Sequence, residues 1–183
     1  MAPARLSRRQ VVTGVQPDTD TVWRWLAEVP DPEIPVISIT ELGIVRDVDW
    51  QDDTLVVTVT PTYSGCPATS LINLEIEQKL RDKGIDKIEL KRQLSPPWST
   101  DWIAEEAKEK LRAYGIAPPI DGTGAEGVVA GRVRRLTGEP LTVPCPRCGS
   151  PDTKLVSQFG STPCKAAYQC RDCLEPFDYF KCI

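Results

Sequence analysis

Apolar residues recur at a helical period near the start of the chain and twice more further on, with β-branched runs between them. Val22, Trp25, Leu26 and Val29 share one helical face, which predicts a helix that begins after Asp18 or Thr19 and ends at Pro30. Residues 44–50 and 55–60 read as two strands of a hairpin, joined by the short turn Gln51-Asp52-Asp53-Thr54. A second helix is expected from Pro67 or Ala68. Its buried stripe is Ala68, Leu71, Ile72, Ile76 and Leu80, and Gly84 is its C-cap. Residues 86–91 predict a third strand with Ile88 and Leu90 facing inward. Ser95-Pro96-Pro97-Trp98 is a stiff crossing, because each proline restricts the residue before it. A third helix over about residues 100–114 aligns Ile103, Ala107, Leu111 and Tyr114, and Gly115 stops it. The order α-β-β-α-β-α predicts an α+β fold, a small mixed sheet packed with helices.

The periodicity divides the chain. Residues 1–17 carry no stripe and read as a mobile tail, and residues 18–115 form the α+β domain. Residues 116–143 are broken by Pro118, Pro119, Gly122, Gly124, Gly127 and Gly131 and read as a linker. Within it Val128, Val129 and Val133 allow one short strand, and Arg132, Arg134 and Arg135 make a small basic patch. Residues 144–183 form a separate small module. There Val156, Phe159 and Tyr168 are the expected packing residues of a hairpin, and residues 175–180 are a last strand over it.

Composition narrows the function classes. With 183 residues, 26% charged and 40% hydrophobic, the chain suits one ordinary soluble domain with an appendix. A net charge of -4 gives no electrostatic case for nucleic acid. No apolar run is long enough to span a membrane, and no secretory h-region stands at the start, so a cytoplasmic protein is expected. The absence of histidine excludes a Ser-His-Asp triad, a two-histidine facial triad and an H-E-x-x-H site. Neither a Walker sequence nor a nucleotide-binding glycine fingerprint occurs. No catalytic residue can be named, and an accessory protein is a better reading than an independent enzyme.

Cysteine carries the chemistry. Cys145 and Cys148 form one C-x-x-C pair, and Cys170 and Cys173 form a second after 21 intervening residues. Two such turns supply four thiolates to one tetrahedral ion, so structural zinc in a C-terminal zinc ribbon is expected; iron or an iron–sulfur cluster is the alternative. The segment has too little apolar content for a large core, so the metal would supply much of its folding free energy. Such a site is closed, which suits a docking module better than an active site. Cys164 reads as a packed or free thiol, with an alternative ligand as its other reading, and Cys182 is expected to be exposed by fraying.

Cys66 stands apart, directly before Pro67 at an expected helix start. As the N-cap or its close neighbour it would meet unpaired amides and the helix dipole, which favour a thiolate. The hairpin brings residues 62–66 near the loop that holds Asp31, Glu33 and Glu41. One thiolate with carboxylates makes a labile site for iron or a cluster, and a homodimer would bring two thiolates. The plainer account is a half-buried inert cysteine beside carboxylates that cap a turn.

Several of these residues carry a family resemblance. Asp31-Pro32-Glu33-Ile34-Pro35, Ile39-Thr40-Glu41-Leu42-Gly43-Ile44-Val45 and residues 62–67 resemble the small domain of iron–sulfur assembly factors. The stretch Ser95-Pro96-Pro97-Trp98-Ser99-Thr100-Asp101-Trp102, together with Phe159-Gly160-Ser161-Thr162, Cys164-Lys165-Ala166 and residues 175–182, is similar to the phenylacetate degradation protein D family. Members of that family are accessory subunits of the multicomponent phenylacetyl-CoA epoxidase. The resemblance implies a partner among the components of that monooxygenase, above all its iron–sulfur reductase. It also implies a role in inserting iron or a cluster, with Cys66 as the leading residue supported by Asp31 and Glu33. A stable structural or electron-transfer subunit is the other role it allows. Relatives often end in Cys-His; this chain does not, so histidine has no part in its metal binding.

Overall fold

The structure, a computed structural model, describes residues 16–120 and 142–181. Cys182, most of the expected tail, the valine strand and the Arg132 patch lie outside the described residues.

Helix α1 spans Thr19–Leu26 and is capped by Asp18, whose carboxylate accepts the Thr21 amide at 2.7 Å. It ends four residues before Pro30, and Val22 and Leu26 are its buried face. Strands β1 (Val45–Gln51) and β2 (Thr54–Val59) form the expected antiparallel hairpin, with a register shift between Val45 and Asp47. Helix α2 (Thr69–Asp82) then returns the chain so that β3 (Ile88–Arg92) pairs parallel to β2. The sheet order β1-β2-β3 is therefore mixed, and the fold is α+β as the periodicity indicates. A 3-10 turn at Thr100–Trp102 precedes α3 (Glu105–Tyr114), which ends on Gly115 in the left-handed conformation.

Two expected core residues are exposed. Leu71 sits one position off the Ile72, Ile76, Leu80 row of α2 and so faces water. Tyr114 closes α3 on its open side, and Ile116 fills the core position after the turn.

A second sheet has the order β4-β7-β6-β5. Its strands are β4 (Ile116–Ala117), β5 (Thr153–Ser157), β6 (Lys165–Cys170) and β7 (Pro176–Phe180). This is the ribbon, with a small core of Ala117, Val143, Ala166, Tyr168, Phe177 and Tyr179. Tyr168 packs as expected, but Val156, on the edge strand β5, and Phe159, in the loop after it, are exposed.

The ribbon also contributes to the larger core. Phe180 is buried there, edge-on to Trp98 at 6.1 Å between centroids, and Cys164 joins it. Trp98 in turn donates its indole N–H to the Leu42 carbonyl at 2.9 Å. The proline-tryptophan crossing thus ties the ribbon to the entrance of β1. Among the described residues, no helix is long and apolar enough to cross a membrane.

Candidate functional site

Two cysteine sites result. In the first, the C-x-x-C turn at Cys145 is closed by Cys145 N–H to the Ser150 carbonyl and Gly149 N–H to the Cys145 carbonyl, both 2.9 Å. Gly149 has φ +74, the left-handed conformation that glycine takes without steric cost. The second turn repeats this geometry with Leu174 at φ 64. The four sulfurs lie within 4.8 Å of one another, with Cys145 to Cys173 at 3.7 Å and Cys148 to Cys170 at 3.6 Å.

Four thiolates at about 2.3 Å from one tetrahedral ion stand about 3.8 Å apart. The observed spacing fits a single four-coordinate ion, whereas a cluster between the sulfurs would spread them further. The Cys173 amide donates to the Cys170 sulfur at 3.5 Å and holds that thiol down to about 7, which favours the ligating form.

The second site lies at the end of the first sheet. Residues 31–37 make a tight loop whose ends meet through Asp31 N–H to the Ile37 carbonyl at 2.9 Å. Inside it the Asp31 carboxylate accepts the amides of Glu33 (2.9 Å) and Ile34 (2.8 Å). This frees Glu33 to face a narrow cleft lined by Asp31, Glu33, Thr62, Cys66, Thr69 and Asn73 on the α+β side and by Cys164 and Phe180 from the ribbon. The space open to the centre of a water-sized sphere is about 20 Å³, room for one water or one ion. A coenzyme A thioester does not fit it.

Asp31, Glu33 and Cys66 therefore meet as their spacing suggests. Glu41 does not join them: it is held by Lys110 at 2.5 Å and by the Ser38 amide at 2.9 Å. Cys66 is also not the helix cap. The cap of α2 is Ala68, and Cys66 sits in the preceding turn, where its carbonyl accepts the Thr69 amide at 3.3 Å. Its place in the cleft comes from that turn rather than from the helix dipole.

Cys164 is packed, as one of its sequence readings has it, but nothing in the local sequence places it in this cleft. It is 3% exposed, and its thiol lies 3.6 Å from a Glu33 carboxylate oxygen and 2.9 Å from the Thr162 hydroxyl. Burial pushes that thiol up to about 11. Tyr63 is close enough to feel Cys66, Cys164 and Glu33; burial first, and then their charges, push its hydroxyl up to about 12. Among the described residues, the Thr69 hydroxyl and the Asn73 carbonyl oxygen are buried without a hydrogen-bond partner.

Asp31 makes a testable contribution to stability. Burial raises its carboxyl above the ordinary 3.8, and the loop amides offset this only in part. The folded protein then binds a proton more readily than the unfolded chain, so stability falls as pH rises from 3.8 through the raised value. Replacing Asp31 with Asn keeps an acceptor for the loop amides and should flatten that slope in urea titrations at several pH values. Asp31→Ala removes the acceptor from both amides and should cost about 1–3 kcal/mol. An unchanged slope in Asp31→Asn would show that another group sets it.

Two family models match the chain. Residues 19–89 match the iron–sulfur cluster assembly protein family, and residues 130–181 match the PaaD zinc beta ribbon domain. An Escherichia coli (strain K12) protein, provisionally named as the D component of 1,2-phenylacetyl-CoA epoxidase, is 44% identical over 96% of this chain and 99% of its own length. The Fe-S protein maturation auxiliary factor of Porphyromonas gingivalis is 36% identical over 53% of this chain and 92% of its own. The Bacillus subtilis factor YitW, also named for Fe-S protein maturation, is 38% identical over 47% of this chain and 85% of its own.

Proposed function

This chain belongs to the family of the phenylacetyl-CoA epoxidase D component, and we propose that it is an accessory and maturation protein of that multicomponent enzyme. It assists insertion of iron or an iron–sulfur cluster into the reductase or the oxygenase. The observation that carries this reading is the cleft, where the Cys66 thiol and the Glu33 carboxylate face a space the size of one ion. Asp31 shapes the loop that displays Glu33.

The two cysteine sites divide the work. In the ribbon, Cys145, Cys148, Cys170 and Cys173 hold a resident zinc, whose closed thiolate shell keeps the module folded as a docking surface. Among the described residues, no other set of three cysteines and carboxylates has its donors gathered within 4.8 Å. The cleft is thus looser than the ribbon site, as a site must be if its cargo is to leave. Thiols that must stay free for metal suit a reducing compartment, the cytoplasm.

The test is to produce the iron–sulfur reductase of the epoxidase together with this chain or with Cys66→Ser. The expected outcome is a reductase that lacks its cluster beside a Cys66→Ser chain of normal fold and zinc content. A fully loaded reductase would overturn the maturation role. The relative's name as part of the epoxidase favours a second reading, a permanent member of the complex. Recovery in fixed stoichiometry with the oxygenase would support that one instead.

A further inference from the structure

The ribbon lends the cleft a second thiol. Cys164 precedes β6 but packs in the larger core, not in the small core of the ribbon. Its position is built rather than incidental. Lys181 N–H donates to its carbonyl at 2.9 Å, and Gly160 N–H donates to the Lys165 carbonyl at 2.8 Å. The Ser161 hydroxyl donates to Asp178 at 3.0 Å, and the buried Lys165 ammonium lies 3.7 Å from the same carboxylate. The loop 159–165 is thereby fixed so that one thiol enters the cleft.

An inert core cysteine would face apolar atoms. This one faces the Glu33 carboxylate, in a cleft that also holds Cys66 and the unpartnered Thr69 and Asn73 oxygens. Buried polar atoms without partners are costly, and an incoming guest relieves that cost. We propose that Cys164 is a metal-binding residue, and that Cys66, Cys164 and Glu33, whose donors do not all lie within 4.8 Å of one another, close by side-chain rotation onto one ferrous ion taken as exchangeable cargo.

Sulfur donors select thiophilic cations, and a carboxylate with two thiolates is a donor set that iron accepts. Binding breaks two S–H bonds and forms two iron–sulfur bonds, and both protons leave to solvent. Affinity should therefore rise with pH. The inference rests on the iron-handling role proposed for the cleft and adds to it that the site is complete only with the ribbon in place.

The experiment uses the full chain with about one zinc per molecule, as the ribbon site requires. Ferrous iron is added without oxygen, and affinity is read by competition with a ferrous chelator. X-ray absorption at the iron edge counts sulfur neighbours. The expected result is two sulfurs per iron in the wild type and one in Cys164→Ser. Affinity in that variant should fall by at least the 10–100-fold that loss of an outer-shell partner costs a metal site.

Circular dichroism and zinc content establish that the variant is folded. Should it not fold, the sulfur count in the wild type still decides. One sulfur per iron in the wild type, or an unchanged affinity in a folded Cys164→Ser, overturns the inference and leaves the maturation role standing. A wild-type chain that takes up no iron beyond its zinc overturns both.

Discussion

A chelator strong enough to strip the four-cysteine site is expected to unfold the ribbon and to withdraw Cys164 from the cleft in the same step. Metal binding in peptides of this class contributes roughly 10–16 kcal/mol. That is as large as the whole stability of an ordinary domain, and the six residues of the ribbon core that surround the site cannot replace it. Strand β6 carries the effect: it starts just after Cys164 and ends on Cys170, one of the four proposed ligands. Phe180 leaves with the ribbon, so Trp98 loses its aromatic neighbour and its indole environment changes. Tryptophan fluorescence should shift on chelation, Cys164 should become reactive to alkylation, and amide protection along β6 should vanish. Cys170→Ser should do the same without a chelator. A metal-free chain that keeps β6 protected would mean that packing alone holds the ribbon.

Gly43→Ala is expected to be strongly destabilising although it adds only one methyl group. Gly43 has φ +66, a conformation that costs an ordinary residue about 1–2 kcal/mol. A methyl group there would lie 2.7 Å from Trp102 Cβ and 2.8 Å from the Trp102 carbonyl oxygen. Neither is the far end of a flexible side chain, so the crossing must shift, at about 1–3 kcal/mol for overpacking. The sum is about 2–5 kcal/mol. The damage should spread, because the Arg46 guanidinium stacks 3.5 Å over the Trp102 ring and Leu42 accepts the Trp98 indole. Urea denaturation gives the number directly; a loss below about 1 kcal/mol would mean that Trp102 does not press on Gly43.

Local pattern went far with the first sheet. The hairpin, the return through α2 and a third strand in a mixed sheet all follow from period and turn chemistry, and they place the Asp31 loop beside Cys66. Apart from the cap of α2, the errors share one cause: partners distant in sequence. Leu71 and Tyr114 look like core at helical spacing, yet a helix buries only the row that meets a neighbour. Val156 and Phe159 have the composition of packing residues, but Val156 lies on the edge strand β5 and Phe159 in the loop beyond it. Cys164 meets Glu33 across 131 residues of sequence, through a pairing set by the whole ribbon. The Phe159-Gly160-Ser161-Thr162 motif was a signal for it, since a loop that specific positions something. Nothing local names what it positions.

The most direct measurement follows the iron. The zinc-loaded chain would be charged with ferrous iron enriched in the Mössbauer-active isotope and mixed, without oxygen, with cluster-free reductase, sulfide and a competing chelator. The expected result is that the labelled iron appears in the reductase cluster faster than from free iron, and that Cys66→Ser abolishes this advantage. Labelled iron that stays with the chelator, or reaches the reductase equally well without this chain, would contradict a cargo-carrying cleft.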